Sequence, residues 1–227
     1  MTYDIVVPHY GKGRLTELCK RCLETVRDYS ADYRLIFVDN GSPEFPRIYP
    51  ELRQHRTATV LRNTKNVGFV RAVNQGIAMA RAPYVVLLNN DAEAVPGWLE
   101  ALRAPLDAGA ALSGPRTTAA GSWQGRTHAG PGWEFLHSRA MLAFFCTMFR
   151  REVFEQLGAL DEDFGPGLGD DDHFCWLAQR AGMRLALVRS LVIPHHHRST
   201  FKEVYGSEAI PAMQERAMAL FREKSSR

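Results

Sequence analysis

The 227 residues, 45% of them hydrophobic, suffice to bury one sizeable core and suit one large α/β domain. The net charge of +3 is mild, and Lys and Arg are scattered without the dense basic run of a nucleic-acid surface, so charge names no partner. Four cysteines are too few for a disulfide scaffold, and the longest apolar runs fall far short of the ~20 residues that a membrane helix needs.

Met1 leads directly into Tyr3, Asp4, Ile5, Val6 and Val7, without the basic and apolar regions of a signal peptide, which predicts a cytoplasmic protein with free thiols. Cys19 and Cys22 read as two thiols on one helix face, since no second pair completes a zinc site. The runs Ile5 to Val7, Leu35 to Val38 and Tyr84 to Leu88 are continuously apolar and read as buried parallel strands. Between them, Leu15, Leu18, Cys22 and Val26, then Val70, Val73, Ile77 and Ala80, keep a helical rhythm. A shorter strand fits Thr59 to Leu61, and Pro96 to Leu106 reads as a helix opened by proline. This alternation predicts a doubly wound, mainly parallel sheet flanked by helices in a single domain.

From Gly114 to Gly132 the chain is rich in Gly, Pro, Thr and Ser and reads as a long functional loop, its Trp123, His128 and Trp133 fitting either sugar stacking or packing. Regular structure resumes at Met141 to Phe149, followed by short helical stretches from Arg151 to Leu157 and from Asp170 to Ala181. Ile210 to Arg227 predicts a closing helix whose two faces suit packing on the domain or, as a minor alternative, contact with a membrane surface.

In open α/β sheets ligands bind at the carboxyl ends of the strands. Three ends are rich in polar groups: Pro8, His9 and Tyr10; Asp39, Asn40, Gly41 and Ser42; and Asn89, Asn90 and Asp91. Each alone is an ordinary turn, but together they supply a ring to stack on a base, a carboxylate for its N–H and a carboxylate for a cation on phosphates. His195, His196 and His197 follow another apolar strand, and alternation puts His195 and His197 on one side. Asp170, Asp171 and Asp172 open a helix, where capping explains one carboxylate better than three.

These segments, with Asn63, Asn66 to Phe69, Asn74 to Ile77 and the stretch Gly158 to Glu162, resemble family 2 glycosyltransferases of the GT-A fold over residues 3 to 200. The resemblance implies that about 1–112 bind a nucleotide sugar and about 113–227 bind the acceptor and carry catalysis. It makes Asp39 the base contact, with Pro8, Tyr10, Asn40, Asn66, Gly68, Phe69, Asn74, Asn89 and Asn90 around the donor. It implies Mn²⁺ or Mg²⁺ on Asp91, helped by His195 or His197, and Asp171 as catalytic base beside Asp170. The family's Asp-x-Asp motif here begins with Asn89, and its Glu-Asp pair is Asp170 and Asp171. A pyrimidine N–H suits Asp39, which favours UDP or dTDP donors, while the acceptor stays open among glycans, lipid-linked saccharides, proteins and modified bases. The processive synthases' Gln-x-x-Arg-Trp segment is absent, so single transfer is expected. The competing class is a non-catalytic module that binds a nucleotide sugar or a partner. A dehydrogenase lacks its third glycine at Thr16, and no P-loop pattern occurs.

Overall fold

The computed structural model describes residues 1–120, 122–138, 140–196 and 199–226. Strands β1 (Tyr3–His9), β2 (Tyr33–Asp39), β3 (Ala58–Arg62) and β4 (Tyr84–Leu88) alternate with helices α1 (Arg14–Tyr29), α2 (Phe45–Leu52) and α3 (Phe69–Met79). Then follow α4 (Trp98–Asp107), β5 (Leu112–Thr117), α5 (Trp123–Arg126), β6 (Trp133–Phe135), β7 (Cys146–Arg150), α6 (Glu152–Leu157), α7 (Asp170–Arg180), β8 (Leu185–Ile193), α8 (Ser199–Tyr205) and α9 (Ile210–Ser225). One sheet contains all eight strands in the order β3-β2-β1-β4-β7-β5-β8-β6.

The first four strands are parallel, and every residue of β1 is buried, as its unbroken apolar run requires. Beyond β4 the sheet becomes mixed, because β7 runs antiparallel to both β4 and β5 while β5 and β8 remain parallel. Helices α1 and α4 bury Cys19, Cys22, Leu23, Trp98 and Leu99 on one face, and α3 and α7 bury Val70, Val73 and Phe174 on the other. Helix α3 lies so close to β1 that a Cβ on Gly76 would stand 2.3 Å from Val6 Cγ1. All four cysteines are free and buried.

The predicted loop beginning at Gly114 is corrected by β5, which carries Gly114 and Pro115 as an internal strand. Proline costs little there, since β5 pairs with β7 only through Leu112 and Ser113, and the register against β8 shifts at Pro115. Gln124 on α5 secures the segment, giving its amide N–H to Pro115 O at 2.7 Å and accepting Ala143 N–H at 2.8 Å. No helix among the described residues is long and apolar enough to cross a membrane.

At the opposite end of β1 from the strand-end motifs, buried Asp4 joins three elements. Its carboxylate accepts Arg34 Nε and Nη2 at 2.8 and 2.9 Å and the backbone N–H groups of Arg81 and Ala82 at 2.5 and 2.8 Å. Burial alone would raise its pKa, but the Arg34 hydrogen bonds and the two amides hold it below the usual 3.8. A carboxyl depressed in the folded state contributes stability above its unfolded pKa and loses it as pH falls through the folded value. Asp4→Asn should therefore lower unfolding free energy by about 2–3 kcal/mol at pH 7, and by less in acid below the ordinary carboxylate range. Urea titrations at the two pH values check this, and an equal loss at both would mean that the charge is not what matters.

Candidate functional site

The carboxyl ends of β1, β2 and β4 open on a cavity of about 680 Å³, closed on the far side by the start of α7, by His195 and by α8 and α9. Of the sequence-predicted residues, Pro8, Tyr10, Asn40, Asn66, Phe69, Asn89, Asn90, Asp91, Asp170, Asp171 and His195 line it. Asp39, Gly68 and Asn74 do not, and His197 lies outside the described residues.

Asn40 shapes the donor-side wall. Its Nδ2 donates to Asn66 Oδ1 at 2.9 Å and Gly68 O at 3.1 Å, while its Oδ1 accepts Asn63 Nδ2 and Val67 N–H at 3.1 and 2.9 Å. Gly68, with φ of 92°, turns the chain into α3 where a side chain would meet Gly165 O. Asp39 sits behind this wall, fully buried, accepting Ser42 N–H at 3.3 Å and Arg62 Nε at 3.0 Å, and burial raises its pKa despite these partners. Asn74 is turned away from the cavity because its amide is committed to the backbone of Leu160, donating at 2.8 Å and accepting at 3.0 Å.

Asn89, Asn90 and Asp91 meet the β8 end through backbone pairing. Ala92 bridges His195, Glu93 N–H donates to Pro194 O at 3.0 Å, and His196 N–H donates to Asp91 O at 3.1 Å. This brings His195 Nε2 to 3.2 Å from Asp91 Oδ1, with both side chains 6% exposed. The His195 ring stacks on Phe145 at 4.7 Å and 11°. His196 faces the other way, its Nε2 3.6 Å from Glu93 Oε1.

The donor atoms of Asp91 and His195 are as far apart as two adjacent ligands of one octahedral cation, about 3 Å at metal–ligand bonds of ~2.1 Å. Asn89 Oδ1 is buried without a hydrogen-bond partner among the described residues, an acceptor suited to the same ion. Carboxylate, amide oxygen and imidazole fit a hard to borderline divalent metal. Among the described residues no three His, Cys, Asp or Glu side chains converge, so a bound ion would draw further ligands from its substrate.

One residue beside the motif stood unassigned. His9 is buried, its pKa pushed down to about 3 by that burial, and its Nδ1 lies 2.9 Å from Asn90 Nδ2. The ring is therefore neutral, and accepting from Asn90 puts the proton on Nε2. Gly11 makes room for this ring, since a Cβ there would lie 2.3 Å from Nε2. In the sequence His9 shows as one of the polar residues at the end of the first strand, with Gly11 two residues on, but neither reveals its bond to Asn90.

Across the cavity, a turn with positive φ at Gly165, Gly167, Leu168 and Gly169 delivers the three aspartates to the first turn of α7. Leu168, at φ 83°, holds a conformation costly for a side chain. Burial pushes Asp170 up to about 6, helped by the charge of Asp172. Burial, then the charges of Asp172 and Asp170, raise Asp171 well above the ordinary range, and Asp172 is raised by burial too. Asp171 Oδ1 accepts Asp172 N–H at 2.9 Å inside the first turn, while the N-cap position is Gly169, which has no side chain to cap the helix. Three mutually repelling carboxyls titrate as a unit and hold a proton to higher pH than an isolated aspartate.

The profile of Glycosyl transferase family 2 matches residues 4–158, more than half of the chain. Over 103 residues the chain is 37% identical to polypeptide N-acetylgalactosaminyltransferase 4 of Caenorhabditis elegans, a stretch covering 44% of this chain and 17% of that protein. Among solved structures, it resembles the mannosyltransferase PcManGT from Pyrobaculum calidifontis in complex with GDP-Man and Mn²⁺, with a TM-score of 0.74 at 18% identity over 99% of this chain and 64% of that one. It also resembles GalNAc-T7 with UDP, GalNAc and Mn²⁺, at TM-score 0.71 and 16% identity over 86% of this chain and 44% of that one. S. aureus TarS gives 0.71 at 13% identity, covering 90% and 63%. The chain thus spans less than two thirds of the length of each relative named here, and at these identities the structures show the fold alone. With its eight-stranded mixed sheet and the family match across all three donor-side strand ends, the chain belongs to glycosyl transferase family 2 and has the GT-A fold.

Proposed function

We propose that this chain transfers a single sugar, with inversion, from a nucleotide-diphosphate sugar to an acceptor hydroxyl, assisted by Mn²⁺ or Mg²⁺. The observation carrying this reading is that Asp91 and His195 face Asp170 and Asp171 across one cavity. GalNAc-T7 is known with UDP, GalNAc and Mn²⁺, and the mannosyltransferase PcManGT in complex with GDP-Man and Mn²⁺. Residues 1–112 are assigned to the donor and 113–227 to the acceptor and catalysis. UDP, which accompanies GalNAc-T7, is the donor nucleotide proposed for this chain; Asp39 lies behind the cavity wall and does not select it. Free buried cysteines suit a reducing compartment, in keeping with the cytoplasm.

In this reading Tyr10 stacks on the base, while Asn40 and Asn66 hold the wall against which the donor lies. Asp91 and His195, with Asn89 Oδ1, would hold the cation, which when bound neutralises charge growing on the leaving diphosphate. Asp171 accepts the proton of the acceptor hydroxyl as that oxygen forms its bond to the anomeric carbon. The bond from that carbon to the diphosphate oxygen breaks with its electron pair, and the nucleoside diphosphate leaves from the opposite face. A carboxylate whose pKa lies above the ordinary range is the stronger base for this transfer. His9 keeps the Asn90 amide in place, so the motif is ordered before the donor arrives.

Asp91→Ala should abolish the Mn²⁺-dependent part of nucleotide-diphosphate binding, and His195→Ala should weaken it, with little change in melting temperature for Asp91→Ala. Calorimetric titration of UDP with and without Mn²⁺ checks this, and parent-like binding by both variants would remove the metal from this pair. Asp171→Asn retains shape and an oxygen to accept Asp172 N–H, so donor affinity should persist while turnover drops by ~10²-fold or more. Asp170→Asn should lose less. Full transfer by Asp171→Asn would reduce the carboxylate cluster to a helix start and put the base elsewhere, whereas donor binding with neither transfer nor hydrolysis in the parent would favour a non-catalytic binding module.

A further inference from the structure

Helices α8 and α9 complete the cavity, yet their contribution to it is mostly apolar. Phe201 and Val204 on α8 and Ala217, Met218 and Phe221 on α9 face the same space as the aspartates. The approach is close: a Cβ on Gly167 would stand 3.0 Å from the Phe201 ring, and one on Gly169 would stand 3.2 Å from Ala217 Cβ. The apolar wall thus abuts the turn that leads directly into Asp170.

This wall is not ordinary core. Ile210 is the only fully buried residue of α9 among those described, Met218 is 59% exposed, and Tyr205 at the end of α8 is 39% exposed. The helix is fastened by other means. Lys224 Nζ reaches Asp161 and Asp163 at 2.7 and 2.6 Å, and Phe221 meets the edge of Trp176 at 6.4 Å between ring centroids. Leu220 and Phe221 also pack on the core, but Ala217, Met218 and one side of Phe221 border the cavity, where leaving apolar surface wet forgoes stabilisation that an apolar ligand would recover. A glycan acceptor would need a hydrogen-bonding partner for most of its hydroxyls. Among the described residues this wall offers Thr200, Tyr205, Gln214 and Arg222, two of them at the exposed rim.

Resting on the glycosyltransferase reading, we infer that the acceptor carries an apolar chain or ring system beside its reacting hydroxyl, and that α8 and α9 hold this apolar part next to Asp171. The donor-side walls, with Asn40, Asn66, Asn90 and Asp91, are polar and suit the nucleotide diphosphate; the opposite wall suits an alkyl, prenyl or aromatic group.

The test is a pair of titrations on the whole chain: octyl glucoside below its micelle concentration against methyl glucoside, each in the presence of UDP and Mn²⁺. The octyl compound should bind at least on the order of tenfold more tightly, since covering only two methylenes suffices for that factor. Met218→Gln, at an exposed position, and Phe221→Ser should each reduce the preference, with melting temperatures checking that the variants are folded. Equal affinity for the two glucosides while UDP still binds would overturn the apolar subsite and leave the transferase reading intact. Octyl binding in a chain that binds no nucleoside diphosphate would support the subsite and sink the transferase reading. Sedimentation with phosphatidylcholine vesicles, with no response to the monomeric octyl compound, would assign the apolar face to a bilayer surface and overturn the proposal.

Discussion

The backbone pairing of Ala92 with His195 is the constraint on which the site depends. The chain leaves β4 through Asn89, Asn90 and Asp91, then travels through three more strands before β8 returns it to the same place. Two short segments, about a hundred residues apart, are zipped together by two backbone hydrogen bonds, and only then does an imidazole stand 3.2 Å from the Asp91 carboxylate. The stacking of His195 on Phe145 fixes the ring in the plane that this geometry needs. Because Phe145 immediately precedes β7, the antiparallel strand that makes the sheet mixed also supplies the floor under the histidine.

Charge is distributed unevenly along the same sheet. At the amino end of β1, Asp4 is fully compensated by a guanidinium and two amides, and its pKa falls. At the other end, Asp170, Asp171 and Asp172 are crowded into one helical turn with no guanidinium or ammonium within ion-pair distance among the described residues, and all three are raised. Burial acts on both groups in the same direction, so the contrast comes from partners. One end of the fold spends its carboxylate on stability, and the other retains carboxyls whose proton affinity suits chemistry. The strained Leu168 backbone beside them is consistent with a turn shaped by what it presents to the cavity.

Much of this was legible in the residues. The apolar runs of β1, β2 and β4 are continuous because both faces of the sheet are covered, and the polar residues after them had to fall at one edge. Helix rhythm located α1, α3 and α7 closely. What escaped reading was decided by partners distant in sequence. Gly114 and Pro115 look like loop until β8 pairs with them. Asn74 looks like a donor contact until Leu160, 86 residues away, claims its amide. Asp39 was expected at the ligand and instead lies behind the wall, held by Ser42 and Arg62. The two faces of Ile210 to Arg227 predict the closing helix, but no spacing could reveal that Ala217 and Phe221 would border the cavity.

The central claim is that one cavity brings a cation held by Asp91 and His195 opposite the base on α7. The most direct measurement is anomalous diffraction at the manganese edge from crystals grown with UDP and Mn²⁺. The account predicts one strong peak within about 2.3 Å of both Asp91 and His195, with the diphosphate completing its coordination. A peak that contacts neither residue, or UDP bound in the cavity with no metal beside Asp91, would contradict it.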